Sequence, residues 1–305
     1  MKNTFKKWRR AFRAKLIPIL FSIISKLSFN ILYKLAKLLA FMSGIFPSKT
    51  VRIAQRNIEL CFPNLSISEK KVFLKKILFH NIASVLEFAR IWGADLKDNM
   101  RYVTIKNAQA EEIIKKNPTG MILITPHFGA WELSGQYCSA CYQTTIMYRP
   151  SRLGLDALLL SSRKSAGAIP VPANQTGVKA MMKALKQGKV IGILPDQDPG
   201  LGDGEFAPFF GINAKTMTFV SRLAQKYKVP VYLLTSLRIM ENNKATGRFE
   251  ITYTLLEDDI YAEDILVSLT CLNQAIEKII RQAPEQYLWT YPRFKSTPEG
   301  ETPRY

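Results

Sequence analysis

Met121-Ile-Leu-Ile-Thr125 runs without a spacer into Pro126-His127-Phe128-Gly129-Ala130-Trp131-Glu132. The first five residues read as a short buried strand, because an unbroken apolar run bounded by Gly and Pro fits a strand covered on both faces. Open α/β sheets hold their ligands at the carboxyl ends of such strands, where His127 falls. On a straight helix five residues separate His127 and Glu132 by roughly 140°. A partnership therefore requires His127 in the turn and Glu132 in the following helix, and Gly129 permits that turn. Glu132 would then accept the proton of one imidazole nitrogen, fix the tautomer, and leave the other nitrogen as a general base. A loop histidine bonded only to backbone is the alternative.

Outward from this block, the apolar runs 144–148, 190–194 and 231–237 alternate with helical patterns. Alternation of this kind predicts an α/β fold with a mostly parallel central sheet flanked by helices. Leu194-Pro195-Asp196-Gln197-Asp198-Pro199-Gly200 ends another apolar strand and is expected at the same sheet edge as His127. Asp196 and Gln197 become candidate substrate-binding groups on that ground, although Asp-Gln-Asp-Pro-Gly is also ordinary turn chemistry. Between Gly200 and Gly211, Phe206, Phe209 and Phe210 sit among glycines. They are expected either to meet an acyl chain or membrane, or to anchor a long loop on the core.

The first hundred residues read as helices. One pattern runs from Lys49 to about Leu60, and another opens at Ser66, where Glu69 completes a capping-box spacing, and continues to about Trp92. Residues 1–15 carry Lys2, Lys6, Lys7, Arg9, Arg10, Arg13 and Lys15 with no acidic residue, and apolar periodicity follows from Leu16 to Phe46. With Lys15, Lys26, Asn30, Lys34 and Lys37 within about 100° of arc, this segment is expected to be a retained helix lying in an anionic membrane interface. Packing on the protein's own core is one alternative, and a tilted span, less favoured, is another. The simplest division is a basic membrane-associating helix over 1–46 and a catalytic domain over 47–305.

Composition narrows the chemistry. The chain has 305 residues, 47% of them hydrophobic, and a net charge of +19 from 43 Lys+Arg against 24 Asp+Glu, so its partners should be anionic. Two histidines, His80 and His127, exclude a histidine-rich metal centre, and no metal site is expected. Four cysteines, irregularly spaced, do not make a disulfide scaffold. Cys138-Ser-Ala-Cys141 has redox spacing but lies in a helical pattern, where structural thiols are expected.

Taken in order, Asn57-Ile58, Cys61-Phe62-Pro63, the His127 block, Tyr148-Arg149-Pro150, the Leu194–Gly200 segment, Pro208-Phe209-Phe210-Gly211 and Arg293-Phe294-Lys295 resemble the blocks of the bacterial lipid A biosynthesis acyltransferase family. Histidine, four residues, then an acid marks the wider glycerolipid-type acyltransferases. The resemblance covers nearly the whole chain. It implies transfer of a lauroyl or myristoyl chain from acyl carrier protein to a hydroxyl of an acyl chain on the lipid A precursor, at the cytoplasmic face of a bacterial inner membrane. His127 would take the hydroxyl proton and Glu132 would orient it, with no covalent acyl-enzyme and no cofactor beyond the carrier-protein thioester. The position of the superfamily's second arginine motif implies Arg163 as oxyanion donor, with Arg149 as second choice. Asp196 would align Arg163 or a sugar hydroxyl. One departure stands out, since Trp289-Thr290-Tyr291 has tyrosine where the family usually has histidine. The rival class is a lipid-binding surface protein that keeps the fold without the chemistry. Nucleic acid is not an expected partner, because no nucleic-acid motif accompanies the charge.

Overall fold

The computed structural model describes residues 16–116, 120–148 and 155–305. The basic run 1–15 and Arg149 lie outside the described residues. Strands β1 (Val103–Ile105), β2 (Met121–Ile124), β3 (Thr145–Tyr148), β4 (Ile169–Pro172), β5 (Val190–Ile193), β8 (Val231–Glu241) and β9 (Lys244–Leu255) form one sheet in the order β1-β9-β8-β2-β5-β3-β4. Every neighbouring pair is parallel except β8–β9. All four residues of β2 are buried, as a central strand covered on both faces requires.

Helices α6 (Ala108–Lys116), α7 (Trp131–Tyr142), α8 (Asp156–Ser165), α9 (Gln175–Lys186), α10 (Phe219–Tyr227) and α11 (Ile265–Ile280) alternate with the strands. Ahead of them stand α1 (Leu16–Ser25), α2 (Phe29–Ile45), α3 (Lys49–Cys61), α4 (Ile67–Gly93) and the short α5 (Leu96–Met100). The capping box at the start of α4 forms as expected: Ser66 Oγ accepts from Glu69 N, and Glu69 reaches back to Ser66 N at 2.7 Å.

The amino-terminal segment departs from the expected continuous helix. A turn at 26–28 splits it, and Ser28 caps α2 by accepting from Ile31 N. Lys26 therefore lies in the turn, off the axis of α2 that carries Lys34 and Lys37. One face of α2, with Phe29, Leu32, Tyr33, Ala36 and Ala40, is buried, and its Phe29 ring meets Tyr102 and Phe249 edge-on. The outer face leaves Ile31, Leu38, Phe41, Met42, Ile45 and Phe46 exposed. Among the described residues no single helix is long and apolar enough to cross a membrane.

The glycine-rich stretch after Gly200 is also more ordered than its sequence implies. Strands β6 (Gly204–Phe209) and β7 (Ile212–Met217) pair antiparallel through a two-residue turn in which Phe210 and Gly211 both have positive φ. Phe209 and Phe210 are buried, the first against Tyr287 and Phe294, the second against Phe62 and Trp289. These two rings, expected among the substrate-binding groups, instead anchor the hairpin on the core. The physical reason is that Phe209 falls on the buried face of β6 with Ala207, while Phe210 sits in the turn, where its left-handed backbone departs from the strand's alternation.

A polar hub is buried where α4 crosses β8. Arg238, fully buried, forks onto Glu87 at 2.6 and 2.5 Å, and Tyr33 Oη donates to Glu87 at 2.7 Å. Arg238 Nη1 donates to His80 Nδ1 at 2.8 Å, so His80 sits there neutral. Burial, then the charges of Arg238 and Lys76, push its imidazole down from 6.5 to about 2. Between those values the unfolded chain holds one proton more than the folded one. Stability from this group is thus complete above about pH 6.5 and declines on acidification by up to about 1.4 kcal/mol per pH unit. Urea unfolding at pH 7.5 and pH 5 should show this loss, and His80→Gln, which keeps an acceptor, should flatten the pH slope by one proton.

Candidate active site

Strands β2 and β5 lie side by side, parallel and in register, with Ile124 opposite Ile193. The same register carries past the strand ends, where Thr125 N donates to Ile193 O at 3.0 Å. Two residues later the chains meet through side chains. His127 Nδ1 lies 2.8 Å from Asp196 Oδ1, and His127 N donates to Asp196 Oδ2 at 2.9 Å. Asp196 is buried and His127 partly so, with 2% and 17% of their side chains exposed. Burial raises the carboxyl's pKa, but the facing imidazole, its two hydrogen bonds and the charge of buried Arg293 outweigh it and leave Asp196 below its ordinary value. An ionised Asp196 accepts, so Nδ1 carries the ring proton and Nε2 presents its lone pair. Gln197 Nε2 lies 3.2 Å from that lone pair.

The expected His127–Glu132 pair is therefore corrected, since the carboxylate on the imidazole belongs to Asp196. His127 does lie in the turn, and Glu132 does lie in the first turn of α7. The helix directs Glu132 toward Arg163 of α8, which forks onto it with Nη2–Oε1 at 2.7 Å and Nε–Oε2 at 3.4 Å. Trp92, near the end of α4, donates its indole N–H to the same Oε2 at 3.1 Å. Asp196, expected to align Arg163 or a sugar, aligns the imidazole instead, and Glu132 aligns the arginine. Planar, bidentate pairing of this kind fixes the guanidinium as lysine could not be fixed.

The turn itself is held at its backbone. Leu288 N donates to His127 O, Gln286 O accepts from Gly129 N, Ser84 Oγ donates to Gly129 O, and Ala130 N donates to Ser236 O, at 2.8 to 3.1 Å. Gly129 has φ +62°, and a Cβ there would stand 2.2 Å from Ser236 O. Gly129→Ala should therefore displace the His127 turn and lower the thermal midpoint, with the left-handed backbone alone costing about 1–2 kcal/mol. Calorimetry checks the loss.

Aromatic rings wall the site on one side. Trp131 meets His127 edge-on at 5.2 Å, Phe88 meets Trp131 at 4.6 Å, and Phe88 stacks on Trp92 at 5.6 Å. Sequence reasoning missed Trp92, Trp131 and Arg293 as parts of the site. Trp131 stood inside the quoted block, so its neighbourhood to His127 was within reach. Tyr291, at the departure from the family pattern, donates to Asp198 O at 3.2 Å and so helps hold the 196–200 loop. Cys138 is buried, and its thiol is pushed up to about 12 by burial, which leaves it unreactive. Among the described residues no group of three or more His, Cys, Asp or Glu side chains is placed to hold a metal ion.

Comparison with known proteins agrees with this architecture over nearly its whole length. The chain is 26% identical over 297 residues to the lipid A biosynthesis lauroyltransferase of Escherichia coli K12, covering 93% of this chain and 91% of that one. It is 26% identical over 284 residues to the palmitoleoyltransferase of the same organism, covering 92% and 90%, and 23% identical over 265 residues to its myristoyltransferase, covering 86% and 80%. The family model described as bacterial lipid A biosynthesis acyltransferase matches residues 3–296. With the match spanning residues 3–296, the helices and the sheet alike, the chain belongs to the bacterial lipid A biosynthesis acyltransferase family and is an acyltransferase of lipid A biosynthesis.

Proposed function

We propose that this acyltransferase moves a medium or long acyl chain from acyl carrier protein to a hydroxyl of an acyl chain on the lipid A precursor, using His127 and Asp196 as its proton relay. The observation that carries the reading is the imidazole fixed at Nδ1 by a buried carboxylate, with Nε2 facing the Gln197 amide. Gln197 occupies the place of a donor, and the acceptor's hydroxyl takes that place when it binds. Nε2 removes the hydroxyl proton as the alkoxide oxygen attacks the thioester carbonyl. Asp196 stabilises the resulting imidazolium. As the tetrahedral intermediate collapses, the carbon–sulfur bond breaks and the proton passes to the departing thiolate of the carrier. Arg163, held by Glu132, supplies positive charge to the oxyanion or to a substrate phosphate. No acyl-enzyme is needed. The lauroyl, palmitoleoyl and myristoyl names of the relatives support a donor chain of the medium-to-long class.

The exposed apolar sides of α1 and α2, following a basic run with no acid, support seating on an anionic membrane surface, at the cytoplasmic face of the inner membrane. The +19 charge also suits an acidic carrier protein. The test is direct: purified protein, acyl carrier protein thioester and a lipid A precursor should yield product heavier by one acyl group in mass spectrometry, and His127→Ala should not. Lipid binding without product from intact protein would establish the non-catalytic alternative.

A further inference from the structure

We propose that Trp92 is a positioning residue that ties the seating of α1 on a lipid surface to the Glu132–Arg163 pair. This rests on the acyltransferase reading above and adds to it how the bilayer acts on the site. Helix α1 has two faces. Outward it exposes Leu16, Ile19, Leu20 and Ile23 at 38, 57, 45 and 55%. The fifteen residues before it carry seven Lys or Arg and no Asp or Glu. Apolar surface joined to positive charge fits one occupant, an anionic bilayer, which covers the apolar side chains and attracts the basic run.

Inward, α1 rests on the end of α4 at two consecutive residues. Phe21 stacks on Trp92 with ring centres 5.9 Å apart and planes 25° apart. Next to it, Ser25 lies so close to Gly93 that a Cβ built there would stand 2.4 Å from Ser25 Cβ. Glycine at 93 is what allows the helix to approach. The indole of Trp92 thus stacks on rings from two helices, Phe21 of α1 and Phe88 of α4. Its N–H is the third hydrogen bond on Glu132, sharing Oε2 with Arg163 Nε. A tryptophan that loses one of its two ring contacts turns more freely about its side-chain bonds. Turning it takes the donor off Oε2 and loosens the carboxylate that fixes the guanidinium. Lipid contact that presses α1 onto α4 therefore orders the arginine end of the site, while His127 and Asp196 depend on β2 and β5 and stay as they are.

Two substitutions separate this coupling from ordinary packing. Gly93→Ala displaces α1 and touches neither Glu132 nor Arg163. Trp92→Phe keeps an aromatic ring against Phe21 and Phe88 and removes the N–H. The full chain is labelled with 5-fluorotryptophan, the Trp92 fluorine resonance is assigned by its loss in Trp92→Phe, and vesicles of anionic phospholipid are added. The expected result is a shift of that resonance on vesicle binding in the parent protein and none in Gly93→Ala, although both sediment with vesicles. In vesicle-bound transfer assays each variant should show kcat lower by about ten- to a hundredfold with the donor KM unchanged, as loss of a hydrogen bond to a charged group predicts. Parent-like kcat in folded Trp92→Phe overturns the proposal, as does a vesicle-dependent shift preserved in Gly93→Ala. If Gly93→Ala fails to fold by near-UV circular dichroism, Trp92→Phe decides alone. A parent protein that transfers nothing but shows the shift removes the proposed function and leaves the lipid-to-Trp92 coupling standing. Absence of the shift removes the coupling even where transfer is intact.

Discussion

Replacing Asp196 with asparagine is expected to lower kcat by about 10²–10⁴-fold with little change in KM, the range associated with general acid–base catalysis. The native carboxylate takes two hydrogen bonds from one residue, His127 N on Oδ2 and His127 Nδ1–H on Oδ1. Asparagine can meet only one of these demands. If its carbonyl keeps the backbone N–H, its NH₂ faces Nδ1 and forces the ring proton onto Nε2, where the base is needed. The imidazolium formed during transfer also loses its counter-charge. Glu132→Gln makes the contrast. It removes the partner of Arg163 and should lower kcat through the arginine, while leaving the acid limb of the pH–rate profile where it was. Asp196→Asn should displace that limb, because it changes the free energy of protonating the base. A profile displaced by Glu132→Gln and untouched by Asp196→Asn would return Glu132 to the imidazole and defeat this assignment.

That exchange of carboxylates shows how far the sequence could be read. The strand–turn–helix around His127 was legible because an apolar run, a glycine and an acid five residues on are local signals. Choice of partner was not local. Glu132 is five residues from His127 in the chain, but α7 carries it toward α8, whereas Asp196 arrives from β5. Apolar periodicity identifies strands and does not say which two lie side by side. One clue was present nevertheless. Ile124-Thr125-Pro126-His127 and Ile193-Leu194-Pro195-Asp196 are matching strand ends. In the observed register Ile124 stands opposite Ile193, and the same offset pairs proline with proline and histidine with aspartate.

The amino-terminal helices and the two phenylalanines leave two readings open in the sequence for a related reason. A helix with apolar residues around most of its circumference satisfies both a lipid reading and a core reading. The structure uses α2 in the second way on one face and leaves the other uncovered. For Phe209 and Phe210, neighbouring glycines suggested a loose loop, and the deciding feature was the two-residue turn, which only a pairing partner reveals.

The largest effect on stability is expected at the hub between α4 and β8. Glu87→Gln leaves Arg238 charged with both side chains originally fully buried. Breaking a buried pair from one side costs about 3–5 kcal/mol, so the urea midpoint at pH 7.5 should fall sharply with the slope unchanged. Replacing both residues with apolar ones of similar size often restores such a loss, because two desolvated charges vanish together. Here Glu87→Leu with Arg238→Met should recover only part. Tyr33 Oη loses its acceptor, and His80 Nδ1 and Ser84 Oγ lose a donor. Each buried polar group left without a partner costs about 1–3 kcal/mol. Ser84 is also the residue that holds Gly129 O behind the His127 turn, so the double variant should transfer acyl chains more slowly than its stability alone accounts for. Full recovery of the midpoint would mean that these polar partners find new hydrogen bonds, and unaltered transfer would mean that Ser84 grips Gly129 without help from Arg238.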